Sequence, residues 1–212
     1  MSVEAAGAAP PRGNPATRRE HILDAAEACF TRNGFHRTTM QDLAREAAMS
    51  PGNFYRYFES KEALVLGLVE RERERGTRLV AEMEVSGDRR GALLEIIARY
   101  FVSISREAAT LRVEIWSEST RNAAIAAMTA RTEAETRDWF TATFAALSSA
   151  PDFDPAALYA VLGPLMRGIV VGRAALPDYD VAAAVAQLHA LLEAGLDGRL
   201  PRAGAAGPPA GP

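Results

Sequence analysis

With 212 residues, 48% of them hydrophobic and 24% charged, the chain is long enough for one large or two small cores and too apolar to remain unfolded. Its formal net charge of −3 excludes a protein that coats nucleic acid through bulk positive charge. The single cysteine, Cys29, excludes an intrachain disulfide and fits a reducing cytoplasm. No early apolar run has the form of a signal peptide, and no stretch is read as reaching the length of a membrane span. A cytoplasmic protein with no membrane partner is therefore expected.

Residues 1–16 are rich in Ala, Gly and Pro and are expected to form a disordered tail. Arg12, Arg18 and Arg19 suit an arm reaching into a minor groove, and a plain solvated tail is the simpler account. The first helix is predicted from Thr17 to Asn33, with Ile22, Ala25, Ala26, Cys29 and Phe30 turned inward and Gly34 as its stop. On that face Cys29 reads as a small buried hydrophobe rather than a redox sensor.

The stretch TTMQDLAREAAMSPGNFYRYFESK, residues 38–61, comes next. Thr38 is placed to cap a two-turn helix, Gln41 to close a capping box, and Met40, Leu43 and Ala44 to form its apolar stripe. Ala47-Ala48-Met49 leads to a second helix, Ser50 to Phe58, opened by an N-cap serine and by Pro51. Phe54 and Phe58 turn inward, which leaves Asn53, Tyr55, Arg56 and Tyr57 on the other faces. Ser60 then caps a third helix from Lys61. This is the outline of a helix-turn-helix.

A helical hairpin in any α-protein would satisfy the same spacing. Tyr55-Arg56-Tyr57 argues for more, because hydroxyls and a guanidinium in a row suit phosphate oxygens flanking a groove. Ser50-Pro51-Gly52 also leaves backbone N–H groups open to a phosphate. Acidic and basic residues balance over residues 18–62, so DNA binding has to come from placing charge on one face.

The helix from Lys61 is predicted to run to about Met83. Leu64, Val65, Leu68 and Val69 begin its apolar face, and Leu79, Val80 and Met83 resume it. Between them, pairs such as Glu70–Arg73 and Glu72–Arg75 read as a solvated surface, and Gly76 as a soft point. Val85-Ser86-Gly87-Asp88 marks a boundary. An amphipathic helix follows to about Glu107, with Ala92, Leu93, Ile96, Ile97, Tyr100, Phe101 and Ile104 inward. A short helix from Leu111 to Ser119 carries Val113, Ile115 and Trp116. A long one from Asn122 to Leu147 carries Ile125, Met128, Trp139, Phe140 and Phe144. The helix over residues 155–175 contains Gly163-Pro164, expected to kink it. Pro177-Asp178 starts the last helix, whose Val181, Val185, Leu188, Leu192 and Leu196 recur at helical spacing. From Asp197 the chain turns Gly/Pro/Ala-rich.

His21, His36 and His189 are scattered, and none pairs with another His or Cys at metal-ligand spacing. No phosphate-binding glycine loop or nucleophile elbow is present, so neither a cofactor nor an enzyme is expected. Aromatic and methionine side chains in the second half accompany Arg112, Glu114 and Glu118. They form an ordinary helical core or a mostly apolar pocket with a few orienting polar groups.

Residues 22–68 closely resemble the DNA-binding domain of the TetR/AcrR family of transcriptional regulators. The resemblance is carried by ILDAAEACFTRNGFHRTT, QDLAREAAMSPGNFYRYF and SKEAL, in that order and without gaps. LRVEIWSEST also looks like the corresponding region of AcrR-type members. One departure is Ala47-Ala48-Met49-Ser50, where the family usually has Ala-Gly-Val-Ser. In a left-handed turn position, alanine costs on the order of 1 kcal/mol relative to glycine.

The resemblance implies an all-α, homodimeric regulator. Its parts are a tail over residues 1–16, a helix-turn-helix domain over 17–62, a connecting helix over 63–84, a ligand-binding and dimerisation domain over 85–198, and a tail over 199–212. It implies that the helix opened by Ser50 reads each half of a palindromic double-stranded operator. Thr39, Tyr55, Tyr57 and Lys61 would hold phosphates, while Pro51, Gly52, Asn53 and Arg56 approach base edges. A small, largely apolar effector is implied in the body, with Tyr100, Phe101, Arg112, Trp116, Met128, Phe140 and Met166 as candidate contacts. Its binding would shift the helix from Lys61 and release a repressor from DNA, and the last two long helices would pair with their symmetry mates. Two readings stand beside this one: a ligand-independent DNA-organising protein with the same head, and a helical enzyme or carrier.

Overall fold

The computed structural model describes residues 14–85 and 87–200, leaving aside the side chains at 75, 76, 79, 80 and 82–84. The described residues form nine helices and no strand. They are α1 (Pro15–Asn33), α2 (Met40–Glu46), α3 (Pro51–Tyr55), α4 (Lys61–Val85), α5 (Arg89–Ser103), α6 (Arg106–Glu118), α7 (Ala123–Leu147), α8 (Pro155–Ala175) and α9 (Val181–Leu196). The expectations for Arg12, for the side chains of Arg75, Leu79, Val80 and Met83, and for most of the tails expected over 1–16 and 199–212 (residues 1–13 and 201–212) lie outside the described residues, whereas Pro15 and Ala16 belong to α1, which starts two residues earlier than expected because Asn14 caps it. At Gly76 the backbone stays within the continuous helix α4.

The chain divides into two compact units. One joins Met1–Val80 to Arg106–Met128, and the other joins Ala81–Ser105 to Thr129–Pro212. Residues 106–128, expected within a body spanning 85–198, therefore pack with the N-terminal helices.

In the first unit the core forms around the inward face of α1. Ile22, Leu23, Ala26, Cys29 and Phe30 are almost fully buried, together with Leu43, Phe54, Leu64 and Val65. Leu111 of α6 and Ile125 and Met128 of α7 complete this core. Asn14 caps α1 by accepting the Ala16 N–H, and Pro15 occupies the first turn, where its missing N–H is harmless. Gly34, at φ 81°, ends the helix, and its N–H donates to the Phe30 carbonyl at 2.7 Å. Only glycine adopts that conformation without strain.

The run after Leu68 is not wholly solvated. Arg71 is 5% exposed, and its guanidinium donates to Asp24 at 2.6 Å and to Glu27, both on α1. Its Nε is buried without a partner. The alternation of charge gave no sign of this, because the acids lie on a different helix. Glu72 pairs with Arg112 of α6 at 3.4 Å.

The second unit is built on α9. Val181, Val185, Leu188, Leu192 and Leu196 are all under 8% exposed, turned toward their own chain. The last helix was expected to pair with a symmetry mate, but α5 and α8 already cover its apolar stripe, so that stripe is not the face left for a partner copy. The helix begins three residues later than expected, because Asp180 and not Pro177-Asp178 caps it through the Ala183 N–H. Likewise α5 stops at Ser103, where Ile104 turns extended and buried, and α6 restarts at Arg106.

A further correction concerns α8. It has 21 residues, with an 18-residue window at mean hydropathy 1.4, and is long and apolar enough to cross a membrane by length and composition. One face nevertheless packs inward through Leu158, Leu162, Ile169 and Val170. Pro164 sits inside this helix and removes one backbone donor from it.

Candidate nucleic-acid interface

The helix-turn-helix is assembled by local bonds. The capping box of α2 is one residue later than the sequence suggested. Asp42 Oδ2 accepts both the Thr39 N–H at 3.0 Å and the Thr39 hydroxyl at 2.6 Å, while Thr39 Oγ1 accepts the Asp42 N–H at 3.2 Å. Thr38 is buried and donates back to the Gly34 carbonyl at 2.7 Å, so it is unavailable for capping. Bonding to Thr39 holds the Asp42 carboxyl below its ordinary range, and Arg45 adds to this.

The turn to α3 is a Schellman motif. The Met49 N–H donates to the Ala44 carbonyl at 2.9 Å and the Ala48 N–H to Arg45 at 3.0 Å, with Ala48 at φ 51°. Alanine thus stands where the motif favours glycine. His21 Nε2 donates to the Ala47 carbonyl at 3.1 Å and so ties the turn to α1.

Helix α3 is shorter than expected, ending at Tyr55. The Phe54 carbonyl accepts both the Tyr57 and the Phe58 N–H, which tightens the chain into a turn. Phe54 and Phe58 are buried as the spacing predicted, and the Arg19 guanidinium lies 5.3 Å from the Phe58 ring centroid.

These bonds leave Ser50, Pro51, Gly52, Tyr55 and Arg56 exposed on one short segment. A Cβ added at Gly52 would meet nothing within 4 Å, so packing within the chain does not require glycine there. Asn53 is half-buried, and Tyr57 packs partly on the core. Two residues read as phosphate donors are engaged elsewhere. Both Thr39 donors serve the capping box, and Lys61 Nζ donates to the Phe35 carbonyl at 2.9 Å, 4.5 Å from the Phe35 ring centroid.

The residues read as effector contacts fall in both units. In the first, Met128 belongs to the core, Arg112 pairs with Glu72, and Trp116 is half-buried. In the second, Tyr100, expected inward, is 41% exposed and stacks edge-on against buried Phe101 at 5.0 Å. Phe140 packs on Phe144 and Tyr159, and Met166 is half-buried. Tyr159 donates to Glu133 at 3.1 Å, and burial, with Glu133 beside it, pushes its hydroxyl up to about 12. An open depression on α4 is lined by Glu70, Arg73, Glu74, Thr77 and Arg78, and includes none of the proposed contacts.

Glu114 and Glu118 were read as polar members of a pocket. Glu114 instead accepts the Phe35 N–H at 2.6 Å, and Glu118 pairs with Arg121 and His36. No local signal marks a partner 79 residues away. No group of three or more His, Cys, Asp or Glu placed to hold a metal occurs among the described residues.

Residues 22–68 match the model of bacterial regulatory proteins of the tetR family, and residues 89–197 match that of the BetI-type transcriptional repressor C-terminal domain. Among curated proteins, the HTH-type transcriptional regulator UidR of Escherichia coli K12 is 35% identical over 113 residues, covering 52% of this chain and 56% of UidR. TtgR of Pseudomonas putida is 31% identical over 97 residues, covering 45% of this chain and 46% of TtgR. The chain thus spans about half the length of these curated relatives. Among solved structures, Salmonella enterica GusR superposes with a TM-score of 0.70 at 26% identity, over 87% of this chain and 97% of GusR. Bacillus subtilis FadR in complex with stearoyl-CoA superposes with a TM-score of 0.68 at 16% identity, over 84% of this chain and 98% of FadR, a likeness of fold alone. These relatives are regulators rather than enzymes. With a helix-turn-helix head and a matching C-terminal domain, the chain belongs to the TetR family of transcriptional regulators.

Proposed function

We propose that the chain is a dimeric repressor that reads a palindromic operator through α3 and leaves it when a small molecule binds. The observation that carries the DNA-reading part is Gly52. It is exposed at the start of α3, with nothing in the chain near its missing side chain, as suits close approach of a partner's surface to the backbone. Beside it, Tyr55 and Arg56 supply a hydroxyl and a guanidinium free to meet phosphates and base edges. With Thr39 and Lys61 engaged in the fold, Tyr55, Arg56 and Ser50 are the favoured contacts, with Asn53 and Tyr57 at the margin.

The dimer is supported by the outer face of α8. Ala157, Val161, Pro164, Leu165, Gly168 and Val171 recur at helical spacing and are exposed, Val161 at 49% and Leu165 at 41%. A second copy of the chain is the favoured occupant, because two-fold symmetry matches a palindrome. The exposed face of α9, with Ala182, Ala186 and Ala190, is small enough for close helix packing.

Effector response is supported by the family and by the ligands named for fold relatives, stearoyl-CoA for FadR and choline for a regulator from Saccharomonospora viridis. Phe140 and Met166, both in the second unit, remain the proposed contacts for a largely apolar molecule.

Binding of specific and scrambled duplexes tests the reading. Tyr55→Phe should weaken both equally, since a phosphate carries no sequence information. Arg56→Ala should cost about 1–3 kcal/mol on the specific duplex only. Equal losses for Arg56→Ala would reassign it to the backbone, and no preference by the wild type would remove operator reading altogether.

A further inference from the structure

Phe35 is gripped from two helices. Its N–H donates to Glu114 Oε2 of α6 at 2.6 Å, and its carbonyl accepts from Lys61 Nζ of α4 at 2.9 Å. Its ring is 3% exposed and packs on Phe30, with centroids 5.4 Å apart. Gly34, one residue earlier, takes φ 81°, and a Cβ there would lie 3.1 Å from Glu114 Oε1. The carboxylate therefore sits directly against bare backbone. One turn further along α6, Glu118 is buried and lies 3.1 Å from His36 Nε2. Residues 34–36 thus meet two carboxylates of α6 spaced four apart.

This loop leads straight into the capping box at Thr39, with the Thr38 hydroxyl bonded back to the Gly34 carbonyl. It has little slack. A shift of the Phe35 peptide must pass into α2, and through the Ala48 turn into α3. A buried N–H also needs an acceptor, and a carboxylate gives a stronger bond than a neutral group.

The geometry assigns to Glu114 the role of a positioning residue for the DNA-reading helices, by which α6 sets the aim of α3. The assignment rests on the DNA-binding reading above. Any displacement of α6 away from α1 would withdraw the acceptor, so α6 is a route by which the head is loosened or held.

The test uses the full chain and a duplex selected from a random pool by the wild-type protein. Affinities are compared at a temperature where circular dichroism shows every variant fully folded. Glu114→Ala should lose about tenfold in affinity for that duplex, the scale of one charge-assisted hydrogen bond. Glu114→Gln, which keeps a carbonyl acceptor, should recover most of it. Exchange of the Phe35 amide should quicken in the alanine variant and not in the glutamine one. A purely structural role would lower the melting temperature and leave the affinity of the folded protein unchanged, which overturns the assignment. If Glu114→Ala does not fold, Glu114→Asn, whose acceptor is pulled back by one methylene, takes its place with the same two outcomes. A wild-type chain that enriches no duplex overturns the DNA-binding reading and this assignment with it. Enrichment by the wild type with unchanged affinity in the folded variant overturns the assignment alone.

Discussion

At Ala48 the chain takes φ 51° with a methyl group on its Cα, in a motif that glycine usually completes. Ala48→Gly should therefore stabilise the protein, by about 1 kcal/mol after the greater freedom of glycine in the unfolded chain is set against the relieved strain. Urea unfolding measures it, and a loss of stability would mean that the turn carries no strain. The opposite substitution applies at Gly52, where a Cβ has open space. Gly52→Ala should leave stability unchanged or raise it by roughly 0.5 kcal/mol, and should weaken operator binding if the backbone approaches DNA. Equal affinity for DNA would place the contact elsewhere on α3. His189 gives a pH dependence. Its Nε2 is buried without a partner, and burial holds the ring below its ordinary value of 6.5 despite Glu193 and the Leu94 backbone. The neutral ring is favoured in the fold, so its contribution is complete above about 6.5 and is lost as pH falls toward the folded value. His189→Gln should flatten the fall in stability as pH drops below about 6.5, followed by thermal unfolding; an unchanged slope would contradict this. Single residues were partly legible. The departure from glycine at Ala48 could be read off the sequence, whereas Thr38 and Thr39 are chemically equal and only the fold shows which one is buried.

At the scale of the element, helical periodicity found every long helix, because a stripe of Leu, Val and Ile has one stable place, against a core. It could not say which core. The stripe of α9 is as regular as a partner-facing seam, yet α5 and α8 of its own chain bury it. The less regular face of α8 is the one left open. Two substitutions separate the helices. Leu188→Glu places a charge at a site 3% exposed and should unfold the second unit, with a cost of several kcal/mol. Leu165→Glu, at a site 41% exposed, should leave the chain folded and convert a dimer to a monomer in sedimentation at micromolar concentration. A folded Leu165→Glu variant that remains dimeric would place the interface elsewhere. Short elements were least legible. Helix α3 ends at Tyr55 rather than Phe58 because one carbonyl takes two donors, a choice made by the packing of Phe58.

At the scale of the molecule, contacts between distant segments were invisible in the sequence. The Phe35–Glu114 bond spans 79 residues, and Arg71 meets acids 44 and 47 residues away. Both bind helices whose order in the chain gives no hint of their adjacency. The candidate interface was legible to a greater degree, because its residues lie within one short stretch and their exposure follows from two inward phenylalanines. Whether two copies of this chain read an inverted repeat through α3, as proposed, is decided by selection from a random duplex pool followed by sedimentation of the selected complex. The expected result is enrichment of an inverted repeat whose half-sites face successive major grooves, about 34–36 Å apart, bound by an even number of chains, with enrichment lost in Arg56→Ala. Enrichment of no sequence, or a selected site occupied by a single chain, would contradict it.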